Sequence, residues 1–176
     1  FILRNFEPMK TVRRSILICF ALMVWLAPWA HAEGQIIGVA RLEMEDGSVA
    51  FADWLRVLLV RSAADVPACP NLQPLEKFER MEAVRTLHTQ FFVNVREKVA
   101  QPDYVVRSTL ATPDGTFQFS AVPPGDYFVL VTFPAMIQNW KVAWQIPVSV
   151  KNDRTAHTEL NQDNLAVPTY SRNASQ

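Results

Sequence analysis

The stretch that most narrows what this chain can fold into is Thr112–Phe133, TPDGTFQFSAVPPGDYFVLVTF. Asp114-Gly115 is a tight-turn signal, because glycine accepts the positive φ that such turns require. Behind it Phe117 and Phe119 alternate with Thr116, Gln118 and Ser120, the period-2 pattern of a strand with one buried face. Pro123-Pro124-Gly125 ends that strand, since proline offers no ladder N–H and glycine permits the reversal. The chain resumes with Tyr127, Val129, Val131 and Phe133 on one face and Phe128 and Leu130 on the other. A strand apolar on both sides belongs inside a sheet that is covered on both faces.

The other segments extend this β pattern around one helix. Gln35–Leu42 reads as the first strand, with Ile37, Val39 and Arg41 sharing a face, and Glu43–Ser48 as a polar turn. Trp54–Arg61 reads as the second strand, whose run from Leu55 to Val60 is again apolar on both faces. After the proline-punctuated loop Pro67–Pro74, apolar residues at Leu75, Phe78, Met81, Val84, Leu87, Phe91, Val95 and Val99 recur every three or four positions. That stripe predicts a helix over 75–99, on the order of 37 Å long, lying across the outer face of the sheet that holds the second strand. Tyr104–Ala111, Val142–Val150 and Thr155–Leu160 supply further strands, with Asn152-Asp153 as the last turn.

The DG turn, the Phe-x-Phe pair and Val122-Pro123-Pro124-Gly125-Asp126-Tyr127 resemble the carboxypeptidase regulatory-like domain, with Gly38-Val39 and Asp46-Gly47 matching its opening strand and turn. The resemblance implies a mainly β fold: a seven-stranded transthyretin-like β-sandwich over 33–165. The long helix 75–99, inserted between the second and third strands, is its departure from the family pattern. It also implies a mostly non-catalytic module. Transthyretin-like hydrolases of purine breakdown carry a C-terminal Tyr-Arg-Gly-Ser, which Tyr170-Ser171-Arg172-Asn173 does not match.

The N-terminal segment reads as an address rather than as part of the fold. Met9 is taken as the initiator and residues 1–8 as an upstream non-native extension. Lys10, Arg13 and Arg14 precede the apolar run Ile16–Leu26, roughly 11 residues and too short to span a bilayer as a helix. Ala30-His31-Ala32 offers a small-x-small cleavage site, so 9–32 is read as a secretory signal peptide and the product as periplasmic or secreted in a bacterium. Membrane association is foreseen only if that segment is retained. Its loss leaves a slight acidic excess without a basic block, which argues against nucleic acid as a partner. Cys69 would then be the sole cysteine, either a buried inert thiol or one that pairs between chains. Residues 166–176 read as a flexible polar tail.

Residues able to carry chemistry are scattered. His88 and His157 have no metal-ligand spacing, no Gly-x-Ser-x-Gly elbow is present, and Asp46, Asp114 and Asp126 each suffice as turn formers. No catalytic residue, metal or cofactor is expected. The leading expectation is an exported, non-catalytic sandwich that binds or scaffolds another cell-envelope protein, with Phe91 and Phe92 of the helix as contact residues. The alternative is a carbohydrate-binding module stacking polysaccharide on Trp140 and Trp144, unless those tryptophans instead cap the core.

Overall fold

The computed structural model describes residues 33–171 apart from 45, so the segments 1–8 and 9–32 and the last five positions lie outside the described residues. The turn ahead of the central hairpin forms around Asp114, whose Oδ1 accepts from the Thr112 hydroxyl and, at 3.3 Å, from the Thr116 N–H. Gly115 has φ 77°, and a Cβ there would collide with the Ala40 carbonyl oxygen. That close approach, together with the positive φ, is why glycine is needed.

From this turn β5 (Thr116–Val122) pairs antiparallel with β1 (Gly34–Glu43), placing Phe117 opposite Gly38 and Phe119 opposite Ile36. The Phe117 ring lies so close over Gly38 that a Cβ would overlap it. On its other side β1 pairs in parallel with β10 (Thr155–Leu160), and β2 (Val49–Phe51) folds back on the end of β1 through the Asp46-Gly47 turn. The second sheet has the order β4 (Val105–Leu110), β3 (Arg56–Val60), β6 (Gly125–Val131), β9 (Trp144–Val150), all neighbours antiparallel. Both strands read as apolar on two faces, β3 and β6, are interior strands of it. A small third sheet joins β7 (Met136–Ile137), β8 (Trp140–Lys141) and β11 (Tyr170–Ser171).

The two large sheets enclose the main core. Ile36, Phe117, Phe119 and Leu160 from the first meet Val57, Leu59, Tyr127, Val129 and Val131 from the second. The Tyr127 hydroxyl donates to the Pro123 carbonyl at 2.9 Å, so its polar end is satisfied within the core. The expected shared face Ile37, Val39 and Arg41 exists, but it looks outward. Arg41 there pairs with Glu159 at 2.6 Å, and Gln118 donates to Gln35 at 3.1 Å.

The outer face of the second sheet is apolar, with Leu58, Val60, Phe128 and Leu130, and α1 (Lys77–Val99) covers it. Val84, Leu87, His88, Phe91 and Val95 are the helix's buried residues, so the predicted stripe docks through its middle turns. Its ends do not: Phe78 is 68% exposed and Val99 40%. The fold is therefore a mainly β sandwich with one long inserted helix. Its seven longer strands, β1, β3, β4, β5, β6, β9 and β10, match the expected number, and the short β2, β7, β8 and β11 add to them.

Two expectations change. Residues 166–171 do not hang free. The Ala166 N–H donates to the Ala143 carbonyl at 2.9 Å, Val167 is buried beside α1, and Tyr170 and Ser171 pair with Lys141 and Trp140. Val167, with Ala166 beside it, packs into the cluster under the helix, and that anchors the segment. Cys69 is exposed rather than buried, because the loop that carries it runs over the surface.

Candidate functional site

The insertion forms one wall of a cleft. Helical spacing puts Glu82, Arg85, Thr89 and Phe92 on one side of α1, just off the buried stripe. Facing them stand Phe133, which follows β6, Lys141 of β8 and Tyr170 of β11, and the space between is about 490 Å³. Such a volume is within the range of small-ligand and peptide side-chain pockets.

Aromatic edges set the shape of the cleft. Phe92 and Phe133 meet edge-on with centroids 5.2 Å apart, and the Lys141 ammonium lies 4.0 Å above the Phe133 ring. Lys141 is only 8% exposed, so its ammonium is held in the wall of the cleft against the Phe133 ring. Arg85 lies opposite, mostly exposed, with Nη1 3.3 Å from Glu82 Oε1.

His88 closes the cleft at its inner end. Its Nε2 is 2.9 Å from the Pro168 carbonyl, and a carbonyl can only accept, so Nε2 carries the proton. The ring also meets Tyr170 edge-on at 5.4 Å. Burial is the main cause that lowers the His88 pKa from its ordinary value; nearby Lys141 adds to the lowering, and the bond to Pro168 opposes it. Neutral and hydrogen-bonded, His88 ties the chain after Val167 onto the helix. The site thus offers aromatic edges, a half-sequestered cation and an exposed ion pair, a set suited to holding a ligand.

The residues singled out from sequence are dispersed. Phe91 is fully buried under α1, whereas its neighbour Phe92 reaches the cleft, about 100° further around the helix. Trp144 is 0% exposed and donates from Nε1 to the Asn161 carbonyl at 2.8 Å. Trp140 is half-buried against the same core. The two form no exposed platform; they fill the end of the sandwich. His157 stands exposed on the first sheet, and Asp46 and Asp114 are engaged in their turns, where hydrogen bonds from Ser48, and from Thr112 and Thr116, lower their pKa values. Among the described residues no three His, Cys, Asp or Glu side chains gather where a metal ion could bind.

Phe133, Lys141, Arg85 and Tyr170 escaped the sequence reading. The available signal was Lys141, a lone cation inside the apolar run Trp140–Trp144.

No family model matches the chain. A segment of 37 residues, 21% of the chain, is 49% identical to Colossin-A of Dictyostelium discoideum, of which it covers 0%. Among solved structures, the chain is similar to the minor pilin GBS52 of Streptococcus agalactiae, with TM-score 0.42 and 10% identity over 74% of this chain and 44% of that one. It is similar also to a proposed carbohydrate binding protein of Pseudomonas aeruginosa, with TM-score 0.42 and 17% identity over 78% and 93%. The full-length major pilin SpaD of Corynebacterium diphtheriae follows at TM-score 0.38 and 10% identity, over 73% and 31%. The chain spans less than half the length of either pilin. Likenesses of this degree decide nothing about what it binds.

Proposed function

We propose that this chain is an exported, non-catalytic sandwich module that binds or scaffolds another cell-envelope protein, and that the cleft beside α1 receives a segment of that partner. The observation that carries this reading is a mixed face, aromatic at both ends and charged between them, that continues beyond the cleft. Phe78, Glu82, Arg85, Thr89 and Phe92 follow one another on one side of α1, with Phe78 68% exposed, and across from them Phe133 is 49% exposed. From Phe78 to Phe92 this face runs about 21 Å, longer than a small metabolite and suited to an extended peptide. Exposed aromatics of that kind, rimmed by Arg85 and Glu82, match the composition of protein-binding surfaces.

The motif resemblance to carboxypeptidase regulatory-like domains supports a binding role over catalysis. Export rests on Lys10–Arg14, the apolar run and Ala30-His31-Ala32, all outside the described residues. Among the described residues no helix is long and apolar enough to cross a membrane. The alternative of a sugar platform on Trp140 and Trp144 has lost its footing, because Trp144 has no exposed surface.

The test is site-specific photo-cross-linking in the native cell envelope. A photoreactive residue at Phe92 or Phe78 should give one discrete adduct that the same residue at His157, on the first sheet, does not. Identical adducts from all three positions, or none from the helix, would overturn the proposal.

A further inference from the structure

A second site lies at the start of β3, apart from the helix. Trp54 is 66% exposed and has φ 55°, a left-handed conformation that a bulky side chain rarely adopts. The chain on both sides explains how that conformation is held. Ala52, fully buried, donates its N–H to the Ala40 carbonyl at 3.0 Å, and the carbonyl of buried Leu55 accepts from the Ala111 N–H at 2.8 Å. Between these anchors Asp53 and Trp54 are pushed outward. Glycine or asparagine would make the same turn with less strain, and a polar residue would leave less apolar surface in water. An indole held there gains little from packing. Strain kept at an exposed position points to use of that side chain.

What surrounds Trp54 indicates the ligand. A shallow cleft of about 270 Å³ lies beside it, with Asp53 and Arg56 on the near side and Thr132, Pro134 and Met136 on the far side. Arg56 is steadied by a 3.2 Å bond from its Nε to the Ser108 hydroxyl of the neighbouring strand β4. The site therefore presents a broad apolar ring face beside an acceptor-only carboxylate, a donor-only guanidinium and a hydroxyl that does both. We propose that Trp54 is the stacking platform of a glycan-binding subsite that takes one pyranose ring, with Asp53 and Arg56 holding adjacent hydroxyls. A pyranose has the complementary build, an apolar C–H face edged by groups that both donate and accept. An apolar peptide does not, because charges at positions 53 and 56 would then be desolvated without partners.

The experiment uses the full chain and four probes: cellulose, chitin, xylan and purified peptidoglycan sacculi, in pull-down and affinity-gel formats. Retention by at least one probe is expected, about tenfold weaker in Trp54→Ala and largely restored in Trp54→Phe. Retention by sacculi and chitin alone would identify an N-acetylated glycan, and retention by xylan or cellulose one that needs no N-acetyl group. Trp54→Gly supplies a second arm: it should lose retention while melting no lower than the parent, since glycine accepts φ 55°. Parental retention by Trp54→Ala, no retention of the parent by any probe, or unfolding of Trp54→Gly would each overturn the proposal.

Discussion

Phe91→Ala is the sharpest test of how the inserted helix is held. The ring is 0% exposed and lies between α1 and the second sheet, with Leu87 and Val95 of the helix on either side and Val60, Leu130 and Tyr104 in the same cluster. Val60 and Leu130 belong to a hydrogen-bonded ladder and cannot rise far to fill the gap. Removing the ring should therefore cost about 3–5 kcal/mol, the transfer loss plus the cavity. Against a total of roughly 5–15 kcal/mol for a domain this is a large share. The melting temperature should fall on the order of 10–20 °C. Phe92→Ala is the internal control, because that ring is only half-buried and meets Phe133 in the cleft. Its loss should cost about 1.5 kcal/mol or less. Urea unfolding gives both values, and hydrogen exchange along Val84–Val95 shows whether the helix opens alone or with the sandwich. A midpoint shift for Phe91→Ala no larger than that for Phe92→Ala would refute the docking argument, as would fast exchange of those amides in the parent.

Two further outcomes follow from the same layer. The Tyr104 hydroxyl is buried and has no hydrogen-bond partner among the described residues, so Tyr104→Phe should hold the unfolding free energy measured in urea or raise it by about 1 kcal/mol; a clear fall would reveal a partner. His88 has a pKa lowered from 6.5, chiefly by burial, in a setting that also holds Lys141, Arg85, Glu82 and Tyr170. The unfolded chain therefore takes up the His88 proton first, and stability is lost as pH falls through about 6.5 toward the folded value. In His88→Gln, that part of the difference in melting temperature between pH 7.5 and 5.5 should disappear, and an unchanged difference would assign it to other groups.

The sandwich was legible because its outer strands β5 and β9 alternate, the interior strands β3 and β6 are apolar on both faces, and the helix keeps its spacing. Where the reading slipped, the same periodicities explain the result. Trp144 shares its parity with Ile146, Val148 and Val150, so the strand that buries Val148 and Val150 also turns the indole inward. Phe91 falls on the stripe of Leu87 and Val95 whereas Phe92 falls one step off it, and only the latter reaches the cleft. Phe133 shares the parity of Tyr127, Val129 and Val131, yet β6 ends at Val131 and Phe133 escapes to the surface. The two-residue strands β7, β8 and β11 are too short to show a period at all. The cleft depends on them, since Lys141 and Tyr170 reach it from β8 and β11. No local pattern announces a site assembled from such pieces. Trp54 was hidden differently: it stands at the head of an apolar strand in the sequence, and its 66% exposure shows only in the fold.

Because the helix that seals the second sheet also builds one wall of the cleft, removing the insertion cannot test binding. Its loss would strip the cover from Leu58, Val60, Phe128 and Leu130, and any failure to bind would be indistinguishable from misfolding. A point change on the cleft side separates the two roles. Arg85 has a side chain 64% exposed, and its 3.3 Å contact with Glu82 is a surface pair that contributes about 0–1 kcal/mol. Arg85→Glu exchanges that attraction for a like-charge pair three residues apart, a change of similar small size. The melting temperature should therefore move by only a few degrees. Recognition should respond far more, since the cleft then carries two carboxylates facing Lys141 instead of an ion pair. A partner that meets this face through an acidic segment should be lost, and the loss should ease as ionic strength rises. Equal cross-linking from Phe92 in the parent and in Arg85→Glu, at low salt and with the fold intact, would show that the charged rim takes no part in recognition.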